Sequence, residues 1–426
     1  MILFYKIIFP IVFIFFLPSL IWKLIRRPGK KENYMERFGI YSSERKKVLE
    51  SMKGCTWIHA VSVGETNVAL SFLKNYMQEN PSEKIILSTT TTTGQEIAYN
   101  KVPRGVEVFF TPIDFLPFVR KFLRLAQPAK LIIFETELWP NMILETVKSG
   151  GEVYLVNARL SDRSIKGYRK LASFFVPLLS AFKVICAQTE LDKERYLSIA
   201  PSANVVVTGN IKFDQKPADS LPEIDLETEF GNRSETIRVL AASTHAPEEK
   251  VMLDAFMKVR EKVPSLRFIL VPRHAERGNE LMKMLEELPF TSFRRSTGKA
   301  AKQCDILLAD TTGELVKFYK SCDIVLMGKT FSGNREGQNI IEPAHLGKAI
   351  ISGPEMINFR QAFDSLKENN GVYCLQKDEE LSNALFELVS DENLRLAYGK
   401  NASAAVGKHS GALLRTVQEL KKVSGK

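Results

Sequence analysis

Two stretches of this chain carry carboxylates in settings suited to proton transfer. WIHAVSVGE (57–65) reads as a strand that runs into Ser62 and Gly64 and opens a helix at Glu65. A carboxylate there feels the positive end of the helix dipole, which favours its ionised, base-competent form. First-turn capping is the competing explanation, and His59 inside the strand reads as structural. FETELWPN (134–141) places Glu135 and Glu137 beside Trp139 and Pro140 at a strand end. Such residues offer acceptors and a flat apolar face to a sugar, or they cap the next helix. Paired carboxylates also invite a retaining-glycosidase reading, which depends on a separation in space that spacing does not give. NARLSDRS (157–164) follows the next strand and supplies two cations and hydroxyls, with a solvated cap at Ser161 or Asp162 as the alternative.

The second half carries groups suited to an anion. AASTH (241–245) and VPRHAER (271–277) each end a strand and open a helix, and Arg273 is placed to grip phosphate bidentately. DTTGEL (310–315) puts a small loop at a helix start, another anion site. GKTFSGNREGQNIIEPA (328–344) combines a glycine-containing loop, a helix start expected at Gln338 or Asn339, and Glu342 about one turn in. Backbone N–H groups there take phosphate while Glu342 accepts from ribose hydroxyls. Four such loops on one edge of one domain point to a nucleotide site without a Walker A or GxGxxG fingerprint.

The elements that must position these loops alternate strand and helix. Apolar runs recur at 56–61, 84–88, 131–134, 152–156, 184–187 and 205–207, with amphipathic stretches at 67–78, 116–125 and 190–199. After a polar interval with Pro217 and Pro222, runs resume at 238–242, 267–271, 305–308, 323–327, 349–352 and 371–375. The pattern predicts two parallel α/β halves joined by a linker, with ligands at the carboxyl ends of the strands in a cleft between them. The tail from 392 to 422 reads as helical. The threonine run 89–93 reads as a polar site wall or as plain β-propensity.

The chain has 426 residues, 45% hydrophobic and 25% charged, which excludes disorder, collagen and a multi-span membrane protein. Its five cysteines show no CxxC spacing and read as core thiols in a reducing compartment rather than disulfides or a zinc site. Net charge is +10, and residues 1–53 hold 11 Lys/Arg against 4 Asp/Glu, so most of the excess lies at the amino terminus. There, Ile7 to Trp22 is uncharged, covering roughly 24 Å against a ~30 Å hydrocarbon core, and contains Pro10 and Pro18. Lys23, Arg26, Arg27, Lys30 and Lys31 follow. This predicts a retained membrane anchor, spanning or interfacial, followed by a cytoplasmic arm suited to anionic headgroups. A cleaved signal peptide and a buried helix are the alternatives. No basic and aromatic stripe supports nucleic-acid binding.

The motifs HAVSVGE (59–65), FETELWPN (134–141), TGNIKFD (208–214), AASTH (241–245), VPRHAER (271–277), DTTGEL (310–315) and EGQNIIEPA (336–344) together resemble the 3-deoxy-D-manno-octulosonic acid (Kdo) transferases of lipopolysaccharide synthesis. The match runs in order from the anchor and ERFG (36–39) to about residue 365. It implies a GT-B fold, two Rossmann-like domains facing a cleft, and inverting transfer of Kdo from CMP-Kdo to the 6'-hydroxyl of a lipid A precursor. The setting implied is the cytoplasmic face of the inner membrane. The implied organisation is a membrane anchor (1–25), an acceptor-binding domain (26–213), a linker (214–236), a CMP-Kdo domain (237–395) and a C-terminal helix (396–426).

By the same resemblance Glu65 is the catalytic base, and Glu135, Glu137 and Arg159 lie on the acceptor side. The donor side takes Ser243, Arg273, His274, Thr312, Gly313, Glu314, Lys329, Gln338, Asn339 and Glu342, the last on the ribose. The partners implied are CMP-Kdo, the lipid A precursor and anionic inner-membrane lipids, with no cofactor, metal or nucleic acid. Three positions depart from the family pattern: EGQN (336–339) stands where GGHN is frequent, differing at Glu336 and Gln338, and Lys329 follows Gly328 where a second glycine is common. The alternatives are a GT-B transferase using a UDP-sugar, an epimerase of similar fold, or a non-catalytic module binding anionic lipid.

Overall fold

A computed structural model describes residues 1–26, 32–218, 220–298 and 300–425. Arg27, Lys30 and Lys31 of the expected basic arm lie outside the described residues. The chain forms two compact units, Met1–Asp214 with Ser410–Lys426, and Gln215–His409.

The first unit is built on seven strands, β1 (Thr56–Ala60), β2 (Ile85–Thr89), β3 (Val106–Phe110), β4 (Lys130–Phe134), β5 (Glu152–Ala158), β6 (Val184–Ala187) and β7 (Val205–Val207). They pair in parallel in the order β3-β2-β1-β4-β5-β6-β7. Runs such as IILST and KLIIF lack polar alternation because both faces of the sheet are covered, and β1 and β2 are buried along their whole length. Strand order reverses between β1 and β4, where His59 pairs with Ile133. The loops that leave these two strands therefore start side by side and part to opposite faces, the position at which open α/β sheets bind ligands.

Two devices finish this unit. Glu36, from the ERFG segment, accepts from Phe110 N at 2.9 Å and from Arg45 Nε at 2.6 Å. Arg45 in turn donates to Val108 O at 2.5 Å, so an ion pair covers the exposed rim of edge strand β3. At the other terminus, the helix Ala412–Val423 returns to this unit. Asp214 caps it, accepting from Gly411 N at 2.5 Å and Leu413 N at 2.6 Å.

The second unit has β8 (Ile237–Thr244), β9 (Leu266–Pro272), β10 (Ser292–Arg294), β11 (Ile306–Leu308), β12 (Ile324–Met327), β13 (Ala349–Ser352) and β14 (Tyr373–Cys374). The parallel order is β10-β11-β9-β8-β12-β13-β14, which places the reversal between β8 and β12. The interval expected as a linker is partly folded into this unit: Leu226 and Phe230 are fully buried, and Ile224 N donates to Ser321 Oγ at 2.9 Å.

Among the described residues no helix is long and apolar enough to cross a membrane. The amino-terminal segment folds as one helix, Ile2–Arg26, with Pro10 and Pro18 inside it. Two of its polar side chains are tied to the rest of the first unit: Tyr5 OH donates to Asp114 Oδ2 and Lys6 Nζ to Glu145 Oε1, each at 2.9 Å. Phe4, Ile7, Ile8, Ile11 and Phe15 are left exposed along one flank.

Candidate active site

Glu65 sits where β1 gives way to the helix Val63–Glu79, with Ser62 as N-cap. Its Oε2 accepts from Val61 N at 2.5 Å and Ser62 N at 3.0 Å, while Glu65 N donates to Ser62 Oγ at 3.3 Å. This is a complete capping box. The two backbone donors both go to Oε2, which leaves Oε1 to receive a proton. Thr91 supports the loop, since its Oγ1 lies 3.3 Å from Val61 O and caps the helix Thr92–Lys101 through Gly94 N at 3.0 Å. The threonine run thus supplies a helix cap at Thr91 and continues into the helix.

Glu65 is only 7% exposed. Burial, aided by the negative charges of Glu135 and Glu137, pushes its carboxyl up to about 7 despite the backbone donors at Ser62 and Val61. The expectation that the helix dipole would hold this group ionised is therefore corrected: desolvation and like charge outweigh two N–H dipoles. Glu135 and Glu137 leave β4 next to the Glu65 loop. Glu135 has φ +59°, a left-handed conformation in which a non-glycine residue is strained, and its Oε1 lies 2.8 Å from Lys212 Nζ. Burial raises the Glu137 carboxyl, partly offset by a hydrogen bond from Trp139. Asn157, at the end of β5, is also left-handed, and its buried Nδ2 has no partner although its Oδ1 accepts from Ile211 N at 3.0 Å. Arg159 follows it and is exposed. His59 stays structural: it is fully buried, contacts Thr111 Oγ1 at 2.9 Å, and burial pushes its imidazole down to about 3.

In the second unit, the loops after β8 and β12 meet at the strand reversal. Gly328 is required there, because a Cβ would collide with the carbonyls of Ala242 and Ser243. Ser243 and Lys329 both adopt left-handed φ, +56° and +61°. Glu248 ties the two loops together. Its fully buried carboxylate accepts from His245 N at 2.8 Å, Lys329 N at 2.6 Å, Thr330 N at 3.2 Å and Phe331 N at 3.3 Å. Around this clamp the exposed ends of Arg273 and His274 join His245 and Lys329. The His245 and His274 rings are 5.8 Å apart. Burial, followed by the charge of Lys329 and then that of His274 and Arg273, holds the His245 imidazole below its usual range. A hydrogen bond to the Ser243 backbone opposes this only in part, and the positive groups gathered here suit the place to an anion.

The remaining donor-side residues are placed differently. Glu314 is held by Arg295 through two contacts of 2.8 Å, which together with Thr311 bring its carboxyl down to about 2. The helix after Thr312 and Gly313 begins only at Leu315, and the helix expected from Gln338 or Asn339 begins at Ile341. The reason at the second position is visible: Gly337 N and Gln338 N donate to Lys329 O at 2.9 Å and Gly328 O at 3.2 Å, so this segment pairs with the loop after β12 before turning. Glu342 consequently lies in the first turn and is half-buried, and Asn339 Oδ1 accepts from Ile341 N at 3.1 Å. Sequence reasoning missed Glu248 and left Lys212 without a role. The signal for Glu248 was its three-residue spacing behind His245, the spacing that links Ser62 to Glu65.

A family model described as 3-Deoxy-D-manno-octulosonic-acid transferase (kdotransferase) matches residues 32–215. The 3-deoxy-D-manno-octulosonic acid transferase of Haemophilus influenzae is 31% identical over 402 residues, 93% of this chain and 92% of that protein. The chain belongs to the Kdo transferase family. The Rickettsia felis member is 32% identical over 373 residues, 86% of this chain and 78% of its own length. Among solved structures, a UDP-GlcNAc 2-epimerase from Neisseria meningitidis bound to UDP-GlcNAc aligns with a TM-score of 0.52 at 13% identity, covering 86% of this chain and 99% of that one. A sucrose-phosphate synthase from Thermosynechococcus elongatus gives a TM-score of 0.52 at 10% identity, covering 88% of this chain and 100% of that one. These likenesses speak to a GT-B-like fold, whereas membership of the Kdo transferase family makes the chain a glycosyltransferase of lipopolysaccharide synthesis.

Proposed function

We propose that this family member moves Kdo from CMP-Kdo to the 6'-hydroxyl of a lipid A precursor, with inversion at the anomeric carbon. The observation that carries the reading is Glu65, a buried carboxylate pushed up to about 7 by burial, with Oε2 fixed by two backbone N–H groups. A base poised at the working pH gives the best combination of correct protonation state and driving force for proton transfer. In the single displacement, the acceptor oxygen bonds to the anomeric carbon as its proton passes to Glu65 Oε1. The bond from that carbon to the CMP phosphate oxygen breaks, and CMP leaves as an anion. On the donor side, His245, Arg273, His274 and Lys329 supply the positive potential that stabilises the leaving phosphate. Glu342 is assigned to the ribose hydroxyls, and Glu135, Glu137 and Arg159 to the acceptor.

The proposed setting is the cytoplasmic face of the inner membrane. The exposed flank of Phe4, Ile7, Ile8, Ile11 and Phe15 supports an interfacial contact, with anionic lipids meeting the basic residues of the amino-terminal region. The test is mass spectrometry of the product formed from CMP-Kdo and a tetraacyl lipid A precursor, run beside thermal protection by nucleotides. Addition of Kdo and protection by CMP are expected; protection by UDP with no Kdo product would replace this reading by a UDP-sugar enzyme.

A further inference from the structure

TGNIKFD (208–214) follows β7 and is pinned along its length. At its start Thr208 O accepts from Arg415 Nε and Thr208 Oγ1 from Thr416 Oγ1, each at 2.9 Å, and at its end Asp214 caps the helix Ala412–Val423. In the middle Ile211 and Phe213 are fully buried, and Ile211 N donates to Asn157 Oδ1 at the end of β5. Between these two buried neighbours stands Lys212, whose Nζ lies 2.8 Å from Glu135 Oε1. The two strand ends that meet this turn, at Glu135 and Asn157, both hold left-handed φ, +59° and +54°, in residues that are not glycine. Such strain persists where the surroundings over-determine it, and it gathers at functional sites. A partly exposed ion pair adds little stability by itself. So much support around one lysine therefore points to a task in the site.

The task follows from what Glu135 stands beside. Glu65 feels the charge of Glu135, and after it that of Glu137. Two carboxylates free to approach each other share one proton and release it only at a higher pH. A base that shares its proton with Glu135 is occupied at neutral pH. The other groups around the cluster do not relieve this. Burial above all keeps the phenols of Tyr168 and Tyr196 protonated and the His59 imidazole uncharged. Arg159 is exposed, and among the described residues it forms no ion pair.

We propose that Lys212 is a positioning residue of the transfer reaction, which holds the Glu135 carboxylate apart from Glu65 so that Glu65 alone takes up the acceptor proton. This rests on the reading of Glu65 as the base and adds what keeps it available. The test follows kcat/KM for the acceptor against pH in detergent micelles, for the full chain and for K212M, K212R, E135Q and E135Q/K212M. In K212M the acidic limb is expected about one pH unit above that of the wild type, a tenfold loss below both limbs that fades as pH rises. K212R keeps a cation on the turn and should restore the limb. With Glu135 replaced there is no second carboxylate to release, so E135Q/K212M should match E135Q.

Carbon-13 NMR of the chain labelled at its glutamate carboxyls, titrated without substrates, reads the same coupling without turnover; the Glu65 signal is the one lost in E65Q. A Glu65 midpoint raised in K212M supports the inference even if no Kdo is transferred, an outcome that would sink the functional reading alone. A limb and midpoint unmoved in K212M overturn the inference, as does a shift that persists undiminished in E135Q/K212M. So does an equal loss of kcat/KM at every pH, which would make Lys212 a substrate contact.

Discussion

Glu248→Gln probes how the donor side is held. The wild-type carboxylate takes four backbone N–H groups, two on each oxygen, from the loops after β8 and β12. An amide keeps one acceptor oxygen and turns an NH2 toward the other two donors. Two hydrogen bonds to a charged group are lost, worth about 1.5 kcal/mol each. Part of this returns because the buried charge, whose carboxyl burial already raises, no longer has to be desolvated, which we set at about 1 kcal/mol. The net cost is about 2 kcal/mol, or about 4–8 °C in Tm for a unit of this size.

The loss falls on the segment that fixes Lys329 in its left-handed conformation and orients the loop bearing His245. KM for CMP-Kdo should therefore rise about tenfold while KM for the acceptor stays within twofold. The assays are thermal unfolding and steady-state kinetics with each substrate varied in turn. Wild-type Tm together with an unchanged donor KM would refute the clamp, as would an effect confined to the acceptor.

Other outcomes follow from the same geometry. With Glu65 as base and its carboxyl near 7, the deprotonated form is the active one, so kcat/KM should fall tenfold per pH unit below about 7 and level off above it; Glu135→Gln removes a like charge and should move that limb to lower pH. A limb unmoved in Glu135→Gln would separate the two carboxylates. Lys329→Gly relieves a left-handed non-glycine residue, so denaturant unfolding should show stability unchanged or raised by up to about 1 kcal/mol, while donor KM rises with the loss of a cation.

Much of the site was legible because its residues stand at strand ends, where apolar runs stop abruptly. The Ser62…Glu65 spacing announced a capped helix start, and the structure has one. Its protonation was not legible, since Glu135 and Glu137 lie 70 or more residues away in sequence and reach Glu65 only because β4 pairs with β1. β3 went unread because VEVFF is broken by Glu107 and follows Pro103 and Gly105; β10 is three half-buried residues at a sheet edge. The helix start expected at Gln338 or Asn339 falls two to three residues later because Gly337 N and Gln338 N go to a neighbouring loop, a tertiary effect with no local signal. An apolar run followed by a basic cluster predicts an anchor but not the contacts of its polar residues, since Tyr5 and Lys6 have partners in the first unit more than a hundred residues away.

The central claim is that Glu65 accepts the proton from the acceptor hydroxyl during Kdo transfer. Its most direct test is single-turnover transfer from CMP-Kdo to a tetraacyl lipid A precursor by the wild-type chain and by Glu65→Gln, with CMP affinity measured on both. The account predicts a rate lowered by about 10²–10⁴-fold in the variant and CMP affinity within twofold of wild type. A variant that transfers Kdo within threefold of the wild-type rate would contradict it.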